Sequence, residues 1–209
     1  MKKRILVAYG TKSGSTGEVA EAIGKAVRDG GDMVDVHLAR DVTEVGSYDV
    51  VIVGSPILYG KWHSDATKLL ERHQEVLSRI PVAFFLTCLE LTKTLEEKKR
   101  DMSIYVEPSL GRPPRAEGKL TFFEKGHLLS AFLDPMLKKA PQVKPFSVGV
   151  FRGKLDYSKL DFISSLVMKL IWLIYKRAPE GDFRNWEAIQ SWAASLRPMF
   201  AETNQEGKQ

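Results

Sequence analysis

Between an apolar run at residues 4–9 and a helical pattern at 18–28 lies Tyr9-Gly10-Thr11-Lys12-Ser13-Gly14-Ser15-Thr16. A strand that ends in a short hydroxyl-rich loop and feeds a helix is built to meet an anion. The helix start offers backbone N–H groups with no partner inside the helix, together with the positive end of its dipole. Gly14 lets the backbone pass close to a ligand. Thr11, Ser13, Ser15 and Thr16 add hydroxyl donors, and Lys12 adds a charge. The loop matches neither GxxxxGK[ST] nor GxGxxG. It suits a monophosphate that is held and not transferred. The same Ser and Thr residues also suit a capped first helix with no ligand.

Two further stretches carry chemistry. Gly54-Ser55-Pro56-Ile57-Leu58-Tyr59-Gly60-Lys61-Trp62-His63-Ser64 follows a β-branched run. Ser55, Pro56 and Gly60 read as a tight turn, and Tyr59 and Trp62 offer flat apolar faces. Tyr59 is assigned to ligand contact and Trp62 to packing. His63 is the candidate acid–base group of the loop, set against a bland role just ahead of a helix capped by Ser64. Thr87-Cys88-Leu89-Glu90 ends another apolar run. Thr87 is placed to bond a ligand edge. Cys88 as a redox nucleophile needs an exposed, electropositive setting; the preferred reading is a small buried hydrophobe.

These stretches need a scaffold. Apolar runs at 4–9, 50–54, 82–87 and 146–150 and an alternating pattern at 33–38 read as strands, and 50–54 has the continuous β-branched character of a central parallel strand. Helical spacing marks 16–28, which Gly30-Gly31 ends, and also 64–79, 160–177 and 186–196. Alternating strands and helices imply an α/β fold: a doubly wound, five-stranded parallel sheet in three layers. Its ligand crevice lies at the carboxyl ends of the first and third strands, where the hydroxyl loop sits. Residues 91–140 break the rhythm with a charged run at 96–100, Pro108, Gly111 and Pro113-Pro114, so the fourth connection is a long insertion with helix near 125–139. Residues 1–200 read as one domain and 201–209 as a polar tail.

Composition narrows the function. Among 209 residues, 44% are hydrophobic, enough for a sizeable core. One cysteine excludes an internal disulfide and a Cys-based metal centre, and no metal site is expected. The apolar run after Met1-Lys2-Lys3-Arg4 is too short for a secretory signal. Both features fit a reducing cytoplasm. Net charge is +5, and residues 138–177 hold nine cations against two carboxylates, Asp156 and Asp161. Such a segment, with Arg152 and Lys154 near its centre, faces an anionic partner such as lipid headgroups or a polycarboxylate. No nucleic-acid-reading motif is present.

Thr11-Lys12-Ser13-Gly14-Ser15-Thr16 resembles the FMN-phosphate loop of flavodoxins, T-x-S-G-x-T. The order Ser55-Pro56-Ile57-Leu58-Tyr59-Gly60-Lys61-Trp62-His63-Ser64 is similar to the menaquinone-dependent protoporphyrinogen oxidase branch of flavodoxin-like proteins. So are Gly149-Val150-Phe151-Arg152, Val167-Met168-Lys169-Leu170-Ile171, Gly181-Asp182 and Trp186-Glu187. The resemblance implies a flavodoxin-like fold binding one FMN. Residues 11–16 would hold its phosphate, and Ser55, Pro56, Ile57, Leu58, Tyr59, Gly60, Thr87, Cys88, Leu89 and Glu90 would flank its ring. It further implies an FMN-dependent oxidoreductase that takes electron pairs from a porphyrinogen and passes them to a quinone, with Arg152 and Lys154 attracting the substrate's propionates. The other reading is a flavodoxin-type electron carrier with no small-molecule substrate, docking to a redox partner. Insertion 91–140 is longer than the branch leads one to expect, which bears on the substrate and not on the flavin.

The 160–177 pattern is apolar over a wide arc, with Ser165, Lys169 and Lys176 forming a narrow polar seam. It suits either a buried helix or a membrane-interface helix. A lipid-soluble quinone acceptor requires access to the bilayer, so the resemblance implies peripheral contact at the inner face of the cell membrane.

Overall fold

The computed structural model describes residues 2–94, 101–115, 119–159, 166 and 180–206. In chain order the elements are β1 (Arg4–Tyr9), α1 (Ser15–Asp29), β2 (Met33–Leu38), β3 (Val50–Leu58), β4 (Lys61–Trp62), α2 (Ser64–Leu77), β5 (Val82–Cys88), β6 (Leu91–Thr92), β7 (Ser103–Val106), β8 (Gly111–Arg112), α3 (Phe122–Gly126), α4 (Leu129–Lys139), β9 (Pro145–Arg152), β10 (Lys154–Leu155), β11 (Gly181–Asp182) and α5 (Trp186–Glu206).

The main sheet runs β2-β1-β3-β5-β9-β7, all parallel, with β4 folded back antiparallel onto β3. The five expected strands occupy the expected order. The count of five is corrected by β4 and by β7, which the insertion contributes as an outer strand beside β9. The central strands are apolar on both sides because helices cover both faces. On one face, Leu6, Val51, Val53, Phe84, Leu86 and Val148 meet Leu69 and Leu70 of α2 and Phe132 and Leu133 of α4. On the other, Ile5, Val7, Ile52 and Phe85 meet Val19 and Ile23 of α1 and Ile189, Trp192 and Leu196 of α5. That sandwich is the three-layer architecture expected from the sequence.

Several boundaries move. β3 continues through Ser55 and Pro56 to Leu58, so these two residues are strand and not turn; the turn is Tyr59-Gly60, which folds Leu58 back onto Lys61. The expected helix near 125–139 is two helices, α3 and α4. α5 runs to Glu206, past the onset of the polar tail. The 160–177 pattern lies outside the described residues, apart from Leu166. Among the described residues, no helix is long and apolar enough to cross a membrane.

Candidate functional site

The parallel register pairs Tyr9 with Gly54, which brings the ends of β1 and β3 side by side. The Gly10 N–H donates to the Gly54 carbonyl at 2.9 Å and joins the two loops that follow. The first loop then reverses at Gly14, whose φ of 90° belongs to the left-handed region that glycine enters freely. Its N–H donates to Thr11 Oγ1 at 3.0 Å, which closes the loop on itself. No side chain caps α1. The helix therefore opens toward the loop with its leading amides free of a side-chain cap, the disposition that binds an anion.

The loop side chains divide. Lys12 is exposed, and Thr11, Ser13 and Ser15 are half-buried around the reversal. Thr16 is 1% exposed, and its hydroxyl lies 3.2 Å from that of Thr87 at the end of β5. That pair ties the start of α1 to the next strand across β3. Thr87 was expected to reach a ligand edge; its hydroxyl faces Thr16.

The second loop is a hairpin. Ser55 is fully buried; its Oγ accepts the His63 N–H at 2.8 Å and donates to the Pro56 carbonyl at 2.9 Å. Pro56 is buried, and Ile57 and Leu58 are half-buried. Tyr59 holds a φ of 52°, followed by Gly60 at 75°, and is 71% exposed at the tip. A non-glycine residue in that region is uncommon and strained. Trp62 packs as expected, edge-on to Phe84 at 5.1 Å.

His63, and not Ser64, caps α2: its Nδ1 accepts the Asp65 N–H at 3.3 Å, with Asp65 Oδ2 at 3.7 Å. Its side chain also lies against Gly10, where an added Cβ would sit 2.8 Å from the His63 Cβ and 2.9 Å from the ring. His63 thus joins the two loops, and one ring nitrogen is committed to the cap.

The third wall is the end of β5. Cys88 is buried among apolar neighbours, and burial pushes its thiol up to about 12, with Glu107 acting in the same sense. The side chain is a small hydrophobe and no thiolate nucleophile. Its carbonyl accepts the Gly153 N–H at 3.0 Å. Leu89 is half-buried, and Glu90 Oε1 lies 3.7 Å from Arg112 Nη1 in the insertion.

Arg152 and Lys154 are both half-buried. Arg152 stacks its guanidinium over Phe183 at 4.7 Å, and its backbone N–H donates to Glu107 Oε2 at 2.9 Å. Lys154 lies opposite Asp182 in the β10–β11 pair.

Two contributors escaped sequence reasoning. Glu107 is a fully buried carboxylate beyond β7 that accepts the Ser109 hydroxyl and the Arg152 amide. Nothing in Glu107-Pro108-Ser109 announces this. Arg184 reaches the first turn of α1: Nη1 donates to the Ser15 carbonyl at 3.1 Å and Nη2 lies 2.9 Å from Glu18. Its only sequence signal is the Asp182-x-Arg184 spacing ahead of Trp186.

The model of the flavodoxin domain matches residues 6–182. The chain belongs to the flavodoxin domain family. Among curated relatives, "Protoporphyrinogen IX dehydrogenase [quinone]" of Escherichia coli (strain K12) is 29% identical over 199 residues, covering 92% of this chain and 94% of that protein. The Leishmania major protein of the same name is 21% identical over 204 residues, covering 94% and 75%. Among solved structures, the Streptococcus pneumonia TIGR4 flavodoxin aligns with a TM-score of 0.48 and 12% identity, covering 94% of this chain and 99% of that one. In this flavodoxin-domain chain the residues around α1 and the β3–β4 hairpin sit at the carboxyl ends of adjacent parallel strands, the switch-point crevice of a doubly wound sheet.

Proposed function

We propose that this flavodoxin-domain protein binds FMN and is an oxidoreductase of the quinone-dependent protoporphyrinogen oxidase type. The observation that carries the reading is the uncapped start of α1, set beside the β3–β4 hairpin by the β1–β3 register. In this proposal the amides of Ser13, Ser15 and Thr16 and the hydroxyls of Thr11, Ser13 and Ser15 hold the phosphate, while the Gly14 N–H keeps the loop closed on Thr11. Thr16 acts through its backbone, because its hydroxyl is taken up by Thr87. Ile57, Leu58 and Tyr59 cover one side of the ring, and residues 87–90 form the other wall. FMN supplies reversible two-electron chemistry at its ring when bound. The protein's part is to orient the ring, exclude water with the apolar hairpin, and present backbone groups to the polar edge. His63 is assigned a positioning role, since its Nδ1 serves the α2 cap.

The substrate is proposed to be a porphyrinogen and the acceptor a quinone, with peripheral membrane contact. The names of the curated relatives support the first two, and the basic 138–177 segment supports an anionic surface. The test begins with the absorption spectrum of the purified protein and a titration with FMN. Porphyrinogen-dependent reduction and reoxidation by a menaquinone analogue are the expected results. Fast exchange with a protein partner and no reaction with porphyrinogen would replace this reading with the electron carrier. Flotation with acidic liposomes at low salt tests the membrane contact.

A further inference from the structure

The side chain of Arg184 is 3% exposed, and each of its three nitrogens has a partner. Nε meets Asp182 Oδ1 at 2.8 Å and Nη2 meets Oδ2 at 2.5 Å, a two-point grip on one carboxylate. Nη2 also lies 2.9 Å from Glu18, Nη1 donates to the Ser15 carbonyl, and the guanidinium stacks over Trp186 at 4.5 Å. Asp182 is in β11, Trp186 opens α5, and Ser15 and Glu18 form the first turn of α1. One side chain therefore ties the β11–α5 junction to the helix start that borders the hydroxyl loop. Mutual hydrogen bonding holds the Asp182 carboxyl below its ordinary range and the guanidinium above its own.

Charge and geometry act together here. Glu18 and Asp182 place two carboxylates beside a helix start that must accept an anion. Alone they would repel it, since like charges gathered at one helix start disfavour one another. Arg184 offsets them, and its bond to Ser15 fixes the first turn whose amides face the loop. Resting on the FMN reading above, we infer that Arg184 is a positioning residue for the ligand's phosphate, acting through the Ser15 carbonyl and by neutralising Glu18 and Asp182.

Comparison of FMN with riboflavin isolates the phosphate. Both are titrated against the full-length protein by flavin fluorescence, with folding checked by circular dichroism. Arg184→Ala is expected to weaken FMN about tenfold while riboflavin changes less than about twofold. Arg184→Lys keeps the charge without the planar fork and falls between. Glu18→Gln, with Arg184 in place, is expected to tighten FMN by about twofold to threefold and leave riboflavin unchanged. If Arg184→Ala fails to fold, the Lys and Gln variants carry the test alone. Parallel losses of both flavins, or an unchanged FMN-to-riboflavin ratio in all variants, would overturn the inference and leave FMN binding intact. A wild-type protein that takes up neither flavin would remove the FMN reading and this inference with it.

Discussion

The two loops that meet at Gly10 and Gly54 are held by different means. The loop after β1 closes on itself through Gly14 and Thr11 but is braced from distant parts of the chain: Thr87 from β5 bonds Thr16, and Arg184 from beyond β11 holds Ser15 and Glu18. The hairpin after β3 is held locally: Ser55 bonds His63, and Ile57 and Leu58 pair with Trp62 and Lys61. The proposed anion site, made of backbone amides, has few atoms of its own to stiffen it, and the fold braces that loop from several directions. A two-strand turn carries its own ladder and leaves its tip, Tyr59, outside. A change in the first loop should therefore travel through the molecule, whereas a change at the tip of the second should stay where it is made.

Gly54, in β3 where the first loop is anchored and ahead of the hairpin, gives the largest effect. An added Cβ would lie 1.9 Å from the buried Phe85 ring, and the Gly54 carbonyl also holds Gly10. Gly54→Ala should cost about 3 kcal/mol in urea denaturation and weaken FMN and riboflavin alike. Next is the hydroxyl pair. Thr16→Val leaves Thr87 buried without its partner and should cost about 2 kcal/mol, whereas Thr16→Val with Thr87→Val should recover most of that. Equal costs in the single and double variants would show that the pair does not brace the loop.

The clamp responds to acid. Because Arg184 holds the Asp182 carboxyl below its ordinary value of 3.8, its contribution is present above that value and fades as pH falls through the lower folded value. Asp182 is 41% exposed, so Asp182→Asn should cost no more than about 1 kcal/mol at neutral pH. The gap from wild type should close in strongly acidic buffer, as read from thermal melts across pH. The smallest effect on stability is expected at the hairpin tip. Tyr59→Gly relieves a left-handed residue but gains chain entropy in the unfolded state, so the change should stay within about 0.5 kcal/mol. Both flavins should nonetheless bind more weakly, in contrast to Arg184→Ala. An FMN-selective loss at Tyr59 would erase the distinction between the two loops.

The sheet and the first loop were legible because their signals are local. Continuous apolar runs gave β1, β3, β5 and β9, an alternating pattern gave the edge strand β2, and the hydroxyl loop announced itself by spacing. Ser55-Pro56 misled, since proline reads as a turn signal; at the end of β3, opposite Thr87, it continues the strand. Ser103–Val106 is too short and too deep in a polar insertion to read as strand, and only β9 makes it one. The Ser64 cap was one residue off because a histidine ring nitrogen took the role usually given to a hydroxyl. Arg184 was missed for the most physical reason: Glu18 and Ser15 are its neighbours only after the sheet has formed.

The placement of β7 has a consequence for synthesis. Residues 103–106 emerge from the ribosome well before 145–152, yet β9 is the strand they lie against, between them and β5. The nascent chain must leave an edge position for a segment already made and fill the middle afterwards. Until Pro145–Arg152 arrives, the β7 part of the insertion has no template, so a chain stalled before that point would carry the locally held hairpin beside an unfinished flank, with the first loop still lacking its Arg184 brace.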